Sequence, residues 1–382
     1  MASPTTTANA AIVAPHHVVP LATPALLREA PRQMVRRPPA VRVRPDASLM
    51  PWLSALALSA APARTGSATD RLQRLAEEST RMHVKLADQG LNPTLRKTGA
   101  IDVYMRGGPR AADELDAEEL QRLEPGLAGI TGGSHDAEEW TVESRSFASA
   151  MLGDAAAAGA EIVHGVQVRR LLGEDGRVIG SATARGDMHA GQVVLAAGMG
   201  AGALAAAVGV RLPLRGGRGY VVDLEAGDHA PRLPIRIKDH RIVITPLVDR
   251  VRVCGSIEFG DQGRPVASRR VEARRRVATR VLPSLEGAAV IDRWAGERPC
   301  TPDGVPIIGA SQRARNLFVA TGHGMWGMIL APVTAVIIAD QILGVREAET
   351  DVWLSPDRFG RGLLRASLRQ RSVIGRAIGE SS

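Results

Sequence analysis

The sequence predicts an α/β protein of α+β character, on three observations. Two short apolar runs, Val193–Ala197 and Leu317–Ala320, each end in glycines and lead into residues with helical periodicity, which is the strand–turn–helix pattern of a parallel sheet. Between them, from Leu212, the chain alternates polar and apolar residues over Gly219–Leu224, Ile242–Leu247 and Val251–Ile257, which reads as an antiparallel sheet. The chain of 382 residues is also too long for one ordinary core, so two domains are expected.

The strongest element is Asn316–Leu343. Leu317–Ala320 meets Gly322-His323-Gly324-Met325-Trp326-Gly327 and then a long apolar helix. The glycines permit a sharp turn and close approach of a flat or anionic group, and the first amides of the helix favour negative charge there. The spacing fits G-x-G-x-x-G, but no second strand ending in an acid follows, so the loop reads as facing the reactive end of a cofactor held elsewhere. A plain packing turn is the alternative.

Taken in order, Met1–Pro24 is rich in small residues, and 25–66 reads as irregular with one short helix around Trp52. Thr69–Gly90 reads as an amphipathic helix on the stripe Leu72, Leu75, Met82 and Leu86. Gly99–Met105 is an expected strand, and Asp116–Glu119 has capping-box spacing. Glu143–Gly159 is an expected helix, Glu161–Leu172 and Val178–Thr183 a hairpin across Asp175-Gly176, and Ala201–Val208 a helix. Ser268–Leu282 is basic and reads as a solvated helix, and 346–382 as a basic tail.

Composition excludes several classes. Aromatics are 3% of the chain, leaving few platforms for stacked bases, and the +8 charge rests almost wholly on arginine, with Lys85, Lys97 and Lys238 the only lysines. The basic excess therefore permits an anionic ligand, and nucleic acid is not expected. Cys254 and Cys300 have no metal-ligand or disulfide spacing, so no metal is expected and the cytoplasm is the default compartment. Apolar runs such as Ile329–Ala339 fall short of the ~20 residues that cross a bilayer. Peripheral contact with a membrane stays open.

Three stretches together resemble the FAD-dependent amine and D-amino-acid oxidoreductases, the family of glycine oxidase, sarcosine oxidase and D-amino-acid dehydrogenase. They are Val193–Gly198, the Gly-Glu-Arg-Pro-x-Thr-Pro-Asp-Gly run at Gly296–Gly304, and Ala320–Gly324, with weaker support from Arg218-Gly219-Tyr220, Arg252 and Gly255–Phe259. The resemblance implies a Rossmann-like FAD domain made of 1–24, 142–211 and 296–345, and a substrate domain with an antiparallel sheet made of 25–141 and 212–295. It implies oxidation of a small amino acid at the C–N bond by hydride transfer to flavin, then hydrolysis of the imine to an oxo acid and ammonia. The electron acceptor stays open between oxygen, a quinone and a partner protein.

It further implies Arg298 as the carboxylate fork, with an ion pair to Asp303 as the alternative; Tyr220 as a substrate hydrogen-bonder, with a satisfied buried tyrosine as the alternative; and His323 at the flavin edge, with a turn histidine bonded to backbone as the alternative. Implied cofactor contacts are Thr6, Asn9, Val168, Ala197, Gly198, Gly322, Gly324, Met325 and Gly327. The loop Thr5–Ala11 matches one that touches FAD and usually ends in glycine; Ala11 is expected to withhold a glycine φ. Family members begin with a strand, a G-x-G-x-x-G turn, a helix and a second strand, and this sequence starts after that unit. A longer reading frame, a partner chain or a flavin-free remnant each account for that, and the apolar faces of Val193–Ala197 and Leu317–Ala320 are expected to be exposed.

Overall fold

The computed structural model describes residues 4–35, 39–44, 46–107, 114–227, 230–260, 265–347 and 352–359. A single turn, α1 (Pro4–Thr7), leads to the short strand β1 (Ile12–Val13). Between them Ala11 has φ +56°. Asn9 holds it there: Nδ2 donates to Thr6 O at 2.6 Å and Oδ1 accepts from Ala11 N at 2.7 Å. The glycine-like conformation is thus reached by an alanine, contrary to expectation, because a local side-chain bond offsets part of the steric cost.

The stretch expected to be irregular holds α2 (Pro24–Val35), β2 (Val41–Val43) and α3 (Met50–Ser59). Trp52 is buried, its Nε1 donating to Pro213 O at 3.0 Å and its ring 5.1 Å from Phe259. The long helix α4 (Pro62–Asp88) starts earlier than its apolar stripe suggests, because Pro62 is preorganised for a first turn. It buries Leu72, Ala76, Ser79 and His83, one stripe at helical spacing.

Then come β3 (Arg96–Lys97), β4 (Ala100–Tyr104), α5 (Ala117–Leu123), β5 (Gly132–Asp136), β6 (Trp140–Thr141) and α6 (Ser144–Ala157). The capping box at Asp116 and Glu119 forms, and Glu143 caps α6 by accepting from Ser146 N at 2.8 Å. A three-stranded antiparallel sheet follows, β7 (Val168–Glu174), β8 (Arg177–Thr183) and β9 (Gly186–His189). Asp175 and Gly176 both have positive φ, the requirement of a tight hairpin turn.

After β10 (Val193–Leu195) and α7 (Ala201–Ala206) the chain builds its largest sheet. Its strands are β11 (Arg215–Glu225), β12 (Ile235–Ile237), β13 (Ile242–Pro246), β14 (Arg250–Phe259) and, beyond α8 (Ser268–Val281), β15 (Val290–Cys300). The order is β15-β11-β14-β13-β12-β4-β5, with β2 beside β14. One face packs on α8, where Val222, Leu224, Ile244 and Val253 meet Val271, Val277 and Val281. The helix is therefore not the solvated element its composition suggests. It also buries Arg274, which with Arg270 pairs to the buried Glu258 beneath it.

The chain closes with β16 (Ile307–Ala310), β17 (Leu317–Thr321) and α9 (Gly327–Ile342). β10 runs parallel to β17, and β16 antiparallel on its other side. Leu317, Phe318 and Val319 are buried against α9, α7 and neighbouring loops, so the expected exposure of this strand is not found; it is confined to the β10 edge, where Val194 is 44% exposed. Part of the expected basic tail is packed: Leu354 and Phe359 are buried, and Ile308 N donates to Leu354 O at 2.9 Å. Residues 348–351 and 360–382 lie outside the described residues. No described helix is long and apolar enough to cross a membrane.

Candidate active site

The end of β15 is where three distant parts of the chain meet. On one side the N-terminal turn lies across it, with Thr5 Oγ1 donating to Glu297 O at 3.3 Å. On the other the glycine loop is stitched to it: Gly324 N donates to Pro299 O at 2.9 Å, and Cys300 and His323 form an isolated antiparallel bridge. Arg298 lies between these attachments.

Strand register decides which side chains share its face. Arg298 pairs with Gly217, and Gly219 with Gly296, so Gly217 and Gly219 lie beneath the arginine while Tyr220 points the other way. A Cβ at Gly219 would sit 2.3 Å from Arg298 Nη1, so the glycine is what lets the guanidinium lie flat on the sheet. Nη1 donates to Ser256 O at 3.0 Å, where β14 bulges and Ser256 takes φ +66°. That is the one hydrogen bond described for Arg298, and no described carboxylate pairs with it. Asp303 pairs with Arg358 instead, at 2.9 Å.

The same face continues into a small cleft lined by Leu21, Ile257, Cys300, Thr301, Gly304 and the loop Gly322–Trp326. Its side-chain donors are already used: Thr301 Oγ1 donates to Val305 O at 2.8 Å, Trp326 Nε1 to Val19 O at 2.7 Å, and His323 Nε2 lies 3.0 Å from Thr334 Oγ1. Burial pushes the His323 pKa down to about 4, so the ring is neutral. Burial pushes the Cys300 thiol up to about 12, against the opposing pull of Arg298, and leaves it inert. What the cleft offers is apolar wall, one guanidinium at its side and the mouth of α9.

Helix α9 contributes backbone rather than side chains. Its first i→i−4 bond is Leu330 N to Trp326 O, so the amides of Gly327, Met328 and Ile329 precede the ladder. Gly322 and Gly324 both have positive φ, and a Cβ at Gly322 would meet Thr301 Cγ2 at 2.7 Å. Gly198, φ +54°, opens to free space beside the loop, and its carbonyl accepts from Thr321 Oγ1 at 2.9 Å. Gly198, Ala197, Gly322, Gly324, Met325 and Gly327 are thus one continuous neighbourhood.

Other positions fall apart from it. Tyr220, 1% exposed, lies on the α8 face with its hydroxyl on Glu258 Oε2 at 3.4 Å and Arg274 stacked 5.0 Å from its ring. Its hydroxyl is thus turned away from the face that carries Arg298, where a substrate contact would need it. His323 borders the cleft, with its ring Nε2 on the Thr334 side chain of α9 rather than on backbone. Val168 opens β7 in the separate hairpin sheet and is exposed. Thr6 and Asn9 stay with α1 near β15, Asn9 engaged in holding Ala11.

The sequence reading missed what holds the N-terminal turn in place. Arg252 is buried, donates to both oxygens of Asp223 at 2.8 and 2.9 Å, and gives Nη1 to Thr7 O at 3.0 Å, while its guanidinium stacks 5.1 Å from the Trp294 ring. Arg250 shares the same carboxylate and reaches Glu143 at the head of α6. Alternating Arg250-Val-Arg252 on a strand was the available signal. A second hub joins Arg236 to Glu139 (2.6 and 2.7 Å) and Asp102, with His17 at 3.2 Å. Burial raises the Glu139 and Asp102 carboxyls, but His17 and Arg236 at the first, and Arg236 and Lys238 at the second, outweigh it and hold both below the carboxylate range. His17, Asp136 and Glu139 have metal-like spacing, yet the guanidinium already fills the position a cation would take.

A glycine-turned helix mouth bonded to the end of a strand that carries an arginine without a described carboxylate partner is the feature that sets the class, and comparison with known proteins names it. The profile of the family described as FAD dependent oxidoreductase matches residues 1–341, and the chain belongs to that family. D-amino acid dehydrogenases of Paramagnetospirillum magneticum and Cereibacter sphaeroides are 30% and 31% identical to it, over 93% and 94% of this chain and 90% and 89% of theirs. Among solved structures, glycine oxidase from Bacillus cereus superposes with TM-score 0.68 at 22% identity, covering 73% of this chain and 82% of that one. Iminodiacetate oxidase from Chelativorans sp. gives 0.66 at 21% identity over 92% and 89%.

The chemistry of the described residues suits the ring end of FAD, while the cleft itself holds only about 10 Å³ as its side chains stand. Positive-φ glycines at 198, 322 and 324, unladdered amides at the head of α9 and an apolar wall suit a flat group whose charge develops at one edge. Among the described residues no glycine turn joins two parallel strands in the manner that would cradle a pyrophosphate.

Proposed function

We propose that the chain acts on the C–N bond of a small amino acid in the manner of a D-amino-acid dehydrogenase, giving an imine that water opens to an oxo acid and ammonia. FAD, when bound, supplies the hydride acceptor. Arg298 carries the reading: a half-buried guanidinium without a described carboxylate partner, laid on glycine, beside an apolar cleft and the mouth of α9. A carboxylate gripped through two charge-assisted bonds is bound and aligned at once. The unladdered amides of Gly327–Ile329 follow directly on Met325 and Trp326 of the cleft wall and favour negative charge near it. Segments 1–24, 142–211 and 296–345 then serve the cofactor and 25–141 with 212–295 the substrate, and the cleft lies at their seam, where Leu21, Thr301 and Gly304 of the first set meet Ile257 of the second.

The test is Arg298→Ala, which should raise KM for D-alanine about 100-fold, the loss of two charge-assisted hydrogen bonds offset by water. Arg298→Lys should recover little, since an ammonium lacks the fork. Unchanged KM in both would remove Arg298 from the site. A second reading, a subunit that needs a partner chain to hold the nucleotide, is favoured by the open β10 edge at Val194. Such a chain purifies colourless yet binds a carboxylate by calorimetry.

A further inference from the structure

Two features singled out above are not absorbed by that reading: Asp303, in the Gly296–Gly304 run, and Arg358, in the basic tail. The structure joins them. Arg358 Nε donates to Asp303 Oδ2 at 2.9 Å, Nη2 to Oδ1 at 3.2 Å, and the same Nη2 to Val305 O at 2.7 Å. Its Nη1 is held from its own side by Leu354 O and Ser355 O at 3.0 and 3.2 Å. The arginine side chain is 12% exposed and the aspartate 27%, so the pair is shielded from solvent on the arginine's side.

The segment that carries Arg358 is itself fixed. Leu354 is fully buried and its carbonyl accepts from Ile308 N. Asp357 accepts from Gln312 N at 2.6 Å and from Ser311 Oγ at 3.3 Å. Phe359 is buried, with the Arg358 guanidinium 4.3 Å from its ring centre. Residues 352–359 thus form a strap across β16.

What the strap grips is the wall of the cleft. Asp303 also accepts from Val305 N at 3.1 Å, and Thr301 Oγ1 donates to Val305 O, so 301–305 is a closed loop whose charged end is Asp303. Thr301 and Gly304 line the cleft. Gly304, φ +72°, presses on the backbone opposite, where a Cβ would lie 2.3 Å from Leu21 N, and Leu21 lines the cleft too. A shift of the loop therefore moves the wall facing Ile257 and Cys300 on both sides.

We propose that Arg358 is a positioning residue for the substrate cleft, setting through Asp303 the placement of Thr301, Gly304 and Leu21 while touching no substrate itself. The inference rests on the reading of Arg298 and its cleft as the substrate site. Substrate binding, rather than the hydride step, is where its loss registers, because the loop closes the cleft and carries no reacting group.

The experiment uses the FAD-loaded full chain and the variants Arg358→Ala, Arg358→Lys, Asp303→Asn and the double variant Arg358→Ala/Asp303→Asn. Arg358→Ala should raise KM for D-alanine about tenfold with kcat within a factor of about two, since misplacement of a binding wall costs affinity. The Kd of D-lactate, a carboxylate that lacks the amine, should rise in parallel by calorimetry. Arg358→Lys should fall between, and the double variant should match a single one, since both remove the same contact. KM and Kd unchanged in Arg358→Ala, with only a lower Tm, would overturn the proposal. Should Arg358→Ala not fold, Arg358→Lys decides by the same two constants. Failure of the underlying reading looks different: wild-type protein that neither oxidises D-alanine nor binds D-lactate.

Discussion

Tyr220 and Arg298 stand on opposite faces of one sheet, although they lie on neighbouring strands. The register Gly217 to Arg298 and Tyr220 to Ala295 fixes this, because paired residues share a face and consecutive ones alternate. A single-residue slip would exchange them. The arginine is left with the cleft and the tyrosine with α8.

Tyr220→Phe should accordingly leave KM and kcat for D-alanine within about twofold of wild type. The lost hydroxyl costs about 1 kcal/mol of stability, the ordinary value of a hydrogen bond. Steady-state kinetics beside a urea melt checks both halves. A large KM effect would return the tyrosine to the site.

Asp223→Asn keeps the shape of the side chain and removes the charge that Arg250 and Arg252 share. Asp223 and Arg252 are both almost wholly buried, so the arginine is left uncompensated, at a cost of about 3–5 kcal/mol. Denaturant unfolding should show this loss. Since Arg252 also holds Thr7 O, proteolysis within the first ten residues should quicken in the same variant.

His323 gives a pH signature. Its folded pKa, about 4, lies below the ordinary 6.5. As pH falls through 6.5 the unfolded chain takes up the proton first, so stability is lost from there down to about 4 and then levels off. His323→Gln should flatten the stability profile over this window by up to about 3 kcal/mol relative to wild type. The difference between the two proteins cancels the contribution of His83, also lowered by burial.

Ala11→Gly should stabilise the protein by about 0.5–1 kcal/mol, because the steric cost of an alanine at φ +56° exceeds the extra chain entropy of glycine. A rise in the urea midpoint with unchanged slope is the expected result. Destabilisation would show that the Ala11 methyl, buried beside β6, contributes more by packing than its backbone costs.

Local patterns were legible in the sequence wherever one residue type determines the backbone. Asp175-Gly176 made its hairpin, Asp116 and Glu119 their box, and the glycines at 322 and 324 their turn before α9. Arg298 was reachable through its motif. Features fixed by tertiary partners were not. The basic run Ser268–Leu282 conceals its valine stripe among arginines, and burial of Arg274 depends on a glutamate on another strand. Nothing in the spacing of Tyr220 says which face it takes, since that follows from register with a strand 70 residues on whose Trp-Ala-Gly-Glu-Arg-Pro sequence does not read as β15. The pairing of Asp303 with Arg358 rather than Arg298 is equally a matter of which arginine the folded chain brings closer.

The Gly324-to-Pro299 bond and the bridge between Cys300 and His323 tie the helix mouth to the strand through main-chain atoms alone. The span from the backbone of Arg298 to the head of α9 is consequently set by main-chain bonds. Replacing Ile257, Leu21 or Cys300 can therefore resize the cleft while that separation is kept.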